Sequence, residues 1–174
     1  MPTSPLTWHV LFQRGFYESH LENLRHRLTA RALSALPEPE AWLDVGTGDG
    51  RFPEAAKRFF PYTSFDGLDP TDRVARALAE GRVEEAHRGH LTTPGVVTRL
   101  RSRYDVVSLF GPPASAPAAE LAAAFTVVRP GGHVILGHGW SPADVDVRAC
   151  TVLGGARPLP FLHHHRIVAR RDVV

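Results

Sequence analysis

Lysine and cysteine are nearly absent from this chain. Of its 20 basic residues only Lys57 is a lysine, and Cys150 is the single cysteine. One cysteine excludes an intramolecular disulfide and a thiolate metal cluster, and its ordinary role is that of a small apolar residue. The arginine excess accompanies abundant alanine, glycine and proline and reads as coding bias. The resulting +2 charge and pI near 9.1 are only mildly basic, whereas nucleic-acid binders cluster basic residues on one face. Nucleic acid is therefore not the expected partner. No apolar run approaches the roughly 20 residues that cross a bilayer. The N-terminus also lacks a basic segment followed by an apolar one, so no secretory signal is visible and a cytoplasmic location is expected. What remains is 174 residues, 43% hydrophobic and 22% charged, the size and composition of one globular domain.

The most informative stretch is Ala41 to Phe52, which reads Ala-Trp-Leu-Asp-Val-Gly-Thr-Gly-Asp-Gly-Arg-Phe. A short apolar run enters a loop with glycines at 46, 48 and 50, and a helix-like segment follows. Glycines there permit positive φ and let a ligand approach the main chain without meeting a Cβ. A dinucleotide loop needs Gly-x-Gly-x-x-Gly, and its last position would here be Arg51. Asp44, two residues before the first glycine, would repel a pyrophosphate but suits an ammonium or sulfonium. Asp69 ends the next apolar segment, Phe65-Asp66-Gly67-Leu68-Asp69. A carboxylate at the end of the second strand of a doubly wound sheet can accept hydrogen bonds from both hydroxyls of a ribose.

Asp44-x-Gly46-x-Gly48-x-Gly50, with Asp69 about one βαβ unit later, resembles the cofactor site of class I S-adenosylmethionine-dependent methyltransferases. Tyr104-Asp105-Val106-Val107-Ser108-Leu109-Phe110 is similar to the family's fourth strand. Val128 to Leu136 is similar to its fifth, with an Arg-Pro-Gly-Gly turn before it. The resemblance runs in order from about Leu36 to Leu136. It implies an α/β fold, a doubly wound, mostly parallel Rossmann-like sheet with helices on both faces and an antiparallel C-terminal strand. The implied cofactor is S-adenosylmethionine, with S-adenosylhomocysteine as product. It places Asp44 and Gly46 near the methionine end, Gly48 and Gly50 as close-approach positions and Asp69 on the ribose, with Thr47 and Pro70 as further cofactor-binding positions. Gly89-His90-Leu91 stands where the family commonly has Gly-Asp before an apolar residue. His90 departs from that pattern, yet His90 or the Leu91 N–H could still serve adenine. Phe110 opens the loop after the fourth strand.

The chain divides into an N-terminal helical cap (1–36), a cofactor-binding core (37–136) and a short C-terminal strand pair (137–174). Leu21, Leu24, Leu28, Ala32 and Leu36 recur at helical spacing, predicting an amphipathic helix from about Tyr17 to Leu36 that covers the sheet. The aromatic segment before it, Trp8 to Tyr17, either packs on the core or, as in the resembling family, folds over the site. Strands are predicted at Ala41–Val45, Ser64–Leu68, Arg82–Ala86 towards the sheet edge, Tyr104–Leu109 and Gly132–Leu136. A final pair is predicted at Asp146–Val152 and His164–Arg170. Pro53 suits the first turn of a helix, and Thr71 or Asp72 can cap the next one.

Methyl transfer needs alignment and, for a hydroxyl-like nucleophile, removal of a proton. His138, which follows the fifth strand, is the first candidate base. His20 and His9 are others, and Tyr17 is a possible orienting group; each also has an ordinary reading as a surface or packing residue. Of His163-His164-His165 only two could share one side of a strand, and no acid or cysteine adjoins them, so no metal is expected. The leading expectation is a methyltransferase moving a methyl group by in-line displacement to a small-molecule acceptor in secondary metabolism. The alternatives are a methyltransferase for a macromolecular or carrier-bound substrate, and a cofactor-binding or degenerate fold acting as a partner subunit. With no large insertion to form a lid, a homodimer or partner protein could complete the site.

Overall fold

In the computed structural model, which describes residues 20–111, 116–137, 139–140, 150–155 and 167–171, the short apolar runs become strands. They are β1 (Ala41–Val45), β2 (Ser64–Asp69), β3 (Glu85–Arg88), β4 (Tyr104–Leu109), β5 (Val128–Leu136), β6 (Cys150–Gly155) and β7 (Ile167–Arg171). The helices are α1 (residues 20–33), α2 (Arg51–Ala56), α3 (Arg73–Ala79), α4 (Pro94–Leu100) and α5 (Pro117–Val127). The strands form one seven-stranded sheet in the order β3-β2-β1-β4-β5-β7-β6. Pairing is parallel from β3 through β5, and β7 runs antiparallel to both β5 and β6. The strand order reverses between β1 and β4, which are neighbours in the sheet. That is where an open α/β sheet binds ligands, beyond the carboxyl ends of its strands.

Successive side chains of a strand face opposite sides, so adjacent residues of β1 serve two cores. Leu43 joins Leu68, Leu100, Val107 and Leu121 beneath α4 and α5. Trp42 joins Ala30, Leu33, Phe52, Phe60 and Phe65 beneath α1 and α2. The Trp42 ring lies 5.3–5.6 Å from the Phe52, Phe60 and Phe65 rings, the spacing at which aromatic pairs add about 0.5–1.5 kcal/mol each beyond area burial. Asp44 shares the Trp42 face by the same alternation, and that places its carboxyl on the α1 side.

Three expectations shift. Helix α1 turns His26, Thr29, Ala30 and Leu33 inward, while Leu21 and Leu24 remain 59% and 50% exposed. Strand β3 starts at Glu85, not Arg82, because Arg82 to Glu84 closes α3. The Arg82 N–H donates to Ala77 O, its side chain reaches Asp49 O, and Glu84 N–H donates to Phe65 O. The Arg-Pro-Gly-Gly segment lies inside β5 as an irregularity in its pairing with β4. A Cβ on Gly132 would stand 2.6 Å from Asp105 O. The last two strands are described over Cys150–Gly155 and Ile167–Arg171, and the predicted starts at Asp146 and His164 lie outside the described residues. The helix after Asp69 has Asp72 at its N-cap, with no side-chain cap bond.

Candidate cofactor site

The β1–α2 loop is held by its own backbone before any ligand is considered. Gly46 N–H and Thr47 N–H donate to Leu68 O, and Gly50 N–H donates to Thr47 O. This tight path puts Gly46, Gly48 and Gly50 at φ of 73°, 53° and 73°, a region costly to residues with a Cβ. The three glycines differ in what lies beside them. A Cβ on Gly46 would meet nothing within 4 Å. On Gly48 it would come 3.0 Å from the Arg73 guanidinium, and on Gly50 2.9 Å from the Ala77 Cβ. Gly50 therefore lets the chain pack closely against α3, and it is not among the residues lining the cavity described next.

Beyond the carboxyl ends of β1, β4 and β5 opens a cavity of about 280 Å³. Asp44 to Asp49 form its floor, Phe110, Gly111 and Gly137 one wall, and Glu22, Arg25, His26 and Thr29 of α1 the other. Asp44 is 3% exposed. Its Oδ1 accepts a 2.7 Å hydrogen bond from Ser108 Oγ, which in turn accepts one from Trp42 Nε1 at 2.9 Å. Burial pushes the Asp44 carboxyl up to about 7, against the pull of the Ser108 bond. Beside it Thr47 is 7% exposed with its hydroxyl buried, near enough to Asp44 to draw its carboxyl down but without a hydrogen bond of full geometry. A buried carboxyl raised to about 7, with only these two hydroxyls beside it, would be satisfied further by a cation.

Asp69 lies at the end of β2, 8% exposed. Its Oδ2 accepts from Gly48 N–H, and its Oδ1 accepts from both the N–H and the hydroxyl of Thr71. A carboxylate has about four acceptor positions, so one remains, on Oδ2. Two ribose hydroxyls could both bind only if the Thr71 hydroxyl turned away. Asp49 orders the loop: its carboxylate pairs with Arg73 at 2.9 Å and Arg76 at 3.2 Å, and its carbonyl accepts from Arg82. The hydrogen bond from Arg73 holds its carboxyl below the usual range.

The structure brings Asp44, Gly46, Thr47, Gly48 and Phe110 to one cavity, with Asp69 directly behind Gly48. Pro70 and His90 are exposed, Leu91 is buried in the α4–α5 core, and none of the three lines the cavity. His20 is exposed and does not line it either. His138, Tyr17, His9 and His163 to His165 lie outside the described residues.

Of the cavity residues not singled out from sequence, His26 and Arg73 bear most on its chemistry. His26 stands on α1 with its ring 6.1 Å from Phe52, and burial lowers its pKa, so it is neutral at pH 7. Its signal was the placement of Glu22, His26 and Thr29 on one helical face, which the leucine stripe obscured. Arg73 lies over Gly48, and no motif marked it. A larger groove of about 680 Å³ lies at the opposite edge of the sheet. Its Asp105 carboxylate is already taken by Glu40 N–H, Ala41 N–H and Arg129. A third cluster, Asp66, Glu85 and His87, is tied to Tyr104 and Arg103 through hydrogen bonds and ion pairs.

A family profile described as Methyltransferase domain matches residues 17–138, most of the chain and all of the site just built. The chain belongs to that methyltransferase family. Its cofactor is S-adenosylmethionine, and its product form S-adenosylhomocysteine. Solved structures agree on the fold. A TehB-like S-adenosylmethionine-dependent methyltransferase from Corynebacterium glutamicum superposes with a TM-score of 0.66 at 14% identity, covering 91% of this chain and 97% of that one. The N-methyltransferase NodS from Bradyrhizobium japonicum gives 0.60 at 14%, covering 90% and 96%. An O-methyltransferase family protein from Burkholderia thailandensis gives 0.61 at 15%, covering 83% of this chain and 55% of that one. The chain thus spans little more than half the length of that relative, and of two others it covers 58%. No curated protein matches in sequence. Among the described residues no helix is long and apolar enough to cross a membrane.

Proposed function

We propose that this methyltransferase moves a methyl group to a heteroatom of a small-molecule acceptor, and that the cavity floored by Asp44 and Thr47 holds the methionine end of the cofactor. The observation that carries this reading is the buried Asp44 carboxyl, raised to about 7, with the buried Thr47 hydroxyl beside it at the carboxyl end of β1. An α-ammonium supplies the charge and the donors that this pair lacks. Open space beside Gly46 leaves room for that end of the ligand. Asp69 would accept from the ribose through its remaining position on Oδ2, and Phe110 supplies an apolar wall. When bound, S-adenosylmethionine supplies a methyl group activated on a sulfonium for in-line displacement.

The chain's own task is then to orient the acceptor and take its proton. His26, neutral and facing the cavity from α1, can accept a proton from a hydroxyl or amine, and Glu22 one turn earlier favours the imidazolium that forms. Solved relatives named as an N-methyltransferase and as an O-methyltransferase family protein support a nitrogen or oxygen acceptor. The test is calorimetric titration with S-adenosylmethionine, S-adenosylhomocysteine and a nicotinamide dinucleotide. Micromolar binding of the first two alone is expected. Failure of both to bind would sink the reading.

A further inference from the structure

We propose that the hollow between α1 and α2, beside the cofactor cavity, is a subsite for a phosphoryl group, and that the methyl acceptor carries that group. The hollow measures about 220 Å³ and is lined by Asn23, Arg27, Arg51, Glu54, Ala55 and Arg58. What marks it is that three arginines without a carboxylate partner among the described residues share one hollow. Arg73, Arg76, Arg82, Arg88, Arg103 and Arg129 each have a carboxylate partner. Arg27, Arg51 and Arg58 have none among the described residues. The acid in the hollow, Glu54, is turned to Arg82 at 3.3 Å. Three arginines from two elements therefore line the hollow without an ion-pair partner among the described residues. Arg25, Arg31, Arg99 and Arg101 likewise lack a carboxylate partner among the described residues, but Arg27, Arg51 and Arg58 line one hollow together.

Spacing accounts for the convergence. Asn23 and Arg27 stand one turn apart on α1, and Arg51, Glu54 or Ala55, and Arg58 stand at successive turns along α2 and its exit. Guanidinium forks match the oxygens of a phosphate in paired hydrogen bonds, and the Asn23 amide adds a donor. The size of the hollow favours a compact tetrahedral anion or a pyrophosphate over a duplex groove. Arg51 lines both this hollow and the cofactor cavity. A phosphoryl group seated here would hold the rest of its molecule towards His26 and the methyl-transfer cavity. The shared chemistry is phosphate, whether from a phosphorylated metabolite, a nucleotide or the phosphate of a carrier's prosthetic arm. Only the identity of the ligand as acceptor rests on the function proposed above.

The experiment is titration of the full chain at low salt with pyrophosphate, with S-adenosylhomocysteine and with a 12-base-pair DNA duplex. Wild type, the Arg27→Gln/Arg58→Gln double variant and the single Arg58→Lys variant are compared. Neither substituted residue lines the cofactor cavity. The proposal expects pyrophosphate to bind the wild type. It expects at least tenfold weaker binding in the double variant, an intermediate loss when the fork is replaced by an ammonium, and S-adenosylhomocysteine affinity within twofold throughout. Pyrophosphate that fails to bind a wild type still competent for S-adenosylhomocysteine overturns it. So does unchanged pyrophosphate binding in the double variant, and so does duplex binding tighter than pyrophosphate through the same residues. Arg58→Lys keeps the charge and sits in the turn after α2, so it keeps the comparison decisive should the double variant melt early. Loss of S-adenosylhomocysteine binding alone would strike the cofactor assignment and leave the phosphate subsite standing.

Discussion

Asp44 gathers the chemistry of the site into one side chain. Its folded pKa of about 7 lies above the roughly 3.9 of an unfolded aspartate. The folded state therefore holds a proton that the unfolded chain releases between these values. That contribution to stability is complete below about pH 4 and is lost as pH rises through 7. Binding of an ammonium has the opposite sign, because it needs the ionised form. S-Adenosylhomocysteine should bind more tightly as pH rises from 5.5 to 7, by up to about tenfold per unit, and level off above. In Asp44→Asn the affinity should be low and flat over the same range. Calorimetry at four pH values decides it, and a parallel slope in both proteins would detach Asp44 from the ligand. At this scale the sequence was legible wherever the chemistry was local in the chain: Asp44, Gly46 and Asp69 stood out by type and spacing. It was silent on the acceptors already filled by Thr71 and Gly48, and on Arg73 lying over Gly48, because these depend on a turn and on a helix 24 residues away.

Among elements, the junction of β4 and β5 fixes the shape of the cavity wall. Gly137 N–H donates to Leu109 O, and a Cβ on Gly137 would stand 2.7 Å from both Cα and O of Phe110. Backbone cannot swing aside as a side chain can. Gly137→Ala should therefore push Phe110 off its 4.4 Å contact with the Phe52 ring. The expected cost is about 1–3 kcal/mol, the usual range for overpacking, with weaker S-adenosylhomocysteine binding. Urea unfolding and calorimetry measure the two effects, and a fully stable variant with wild-type affinity would refute the wall's role. The same junction shows why elements were less legible than residues. Arg-Pro-Gly-Gly has turn composition, yet pairing with β4 draws it into a strand. The leucines of α1 have helical periodicity, yet the face that turns inward is chosen by Phe52 and the cavity. Periodicity reports that a helix forms, not which stripe the sheet accepts.

For the whole molecule the consequence is linkage between the ligand and the two cores. The cavity is built from α1, the β1–α2 loop and the ends of β4 and β5. The two clusters meet it on either side of the sheet, through Phe52 and Phe110 from one and Val45 from the other. A ligand seated there joins elements that global unfolding must separate. At a free concentration 100 times its Kd, a ligand specific for the folded state stabilises it by about 2.7 kcal/mol. For a domain of this length each kcal/mol raises Tm by about 2–4 °C, so S-adenosylhomocysteine should raise it by roughly 5–11 °C. Thermal melts across a ligand series check this. The rise should grow with the logarithm of concentration and should shrink in Asp44→Asn at pH 7.5. A melt that does not move at saturating ligand would mean that the cavity is not where the cofactor binds.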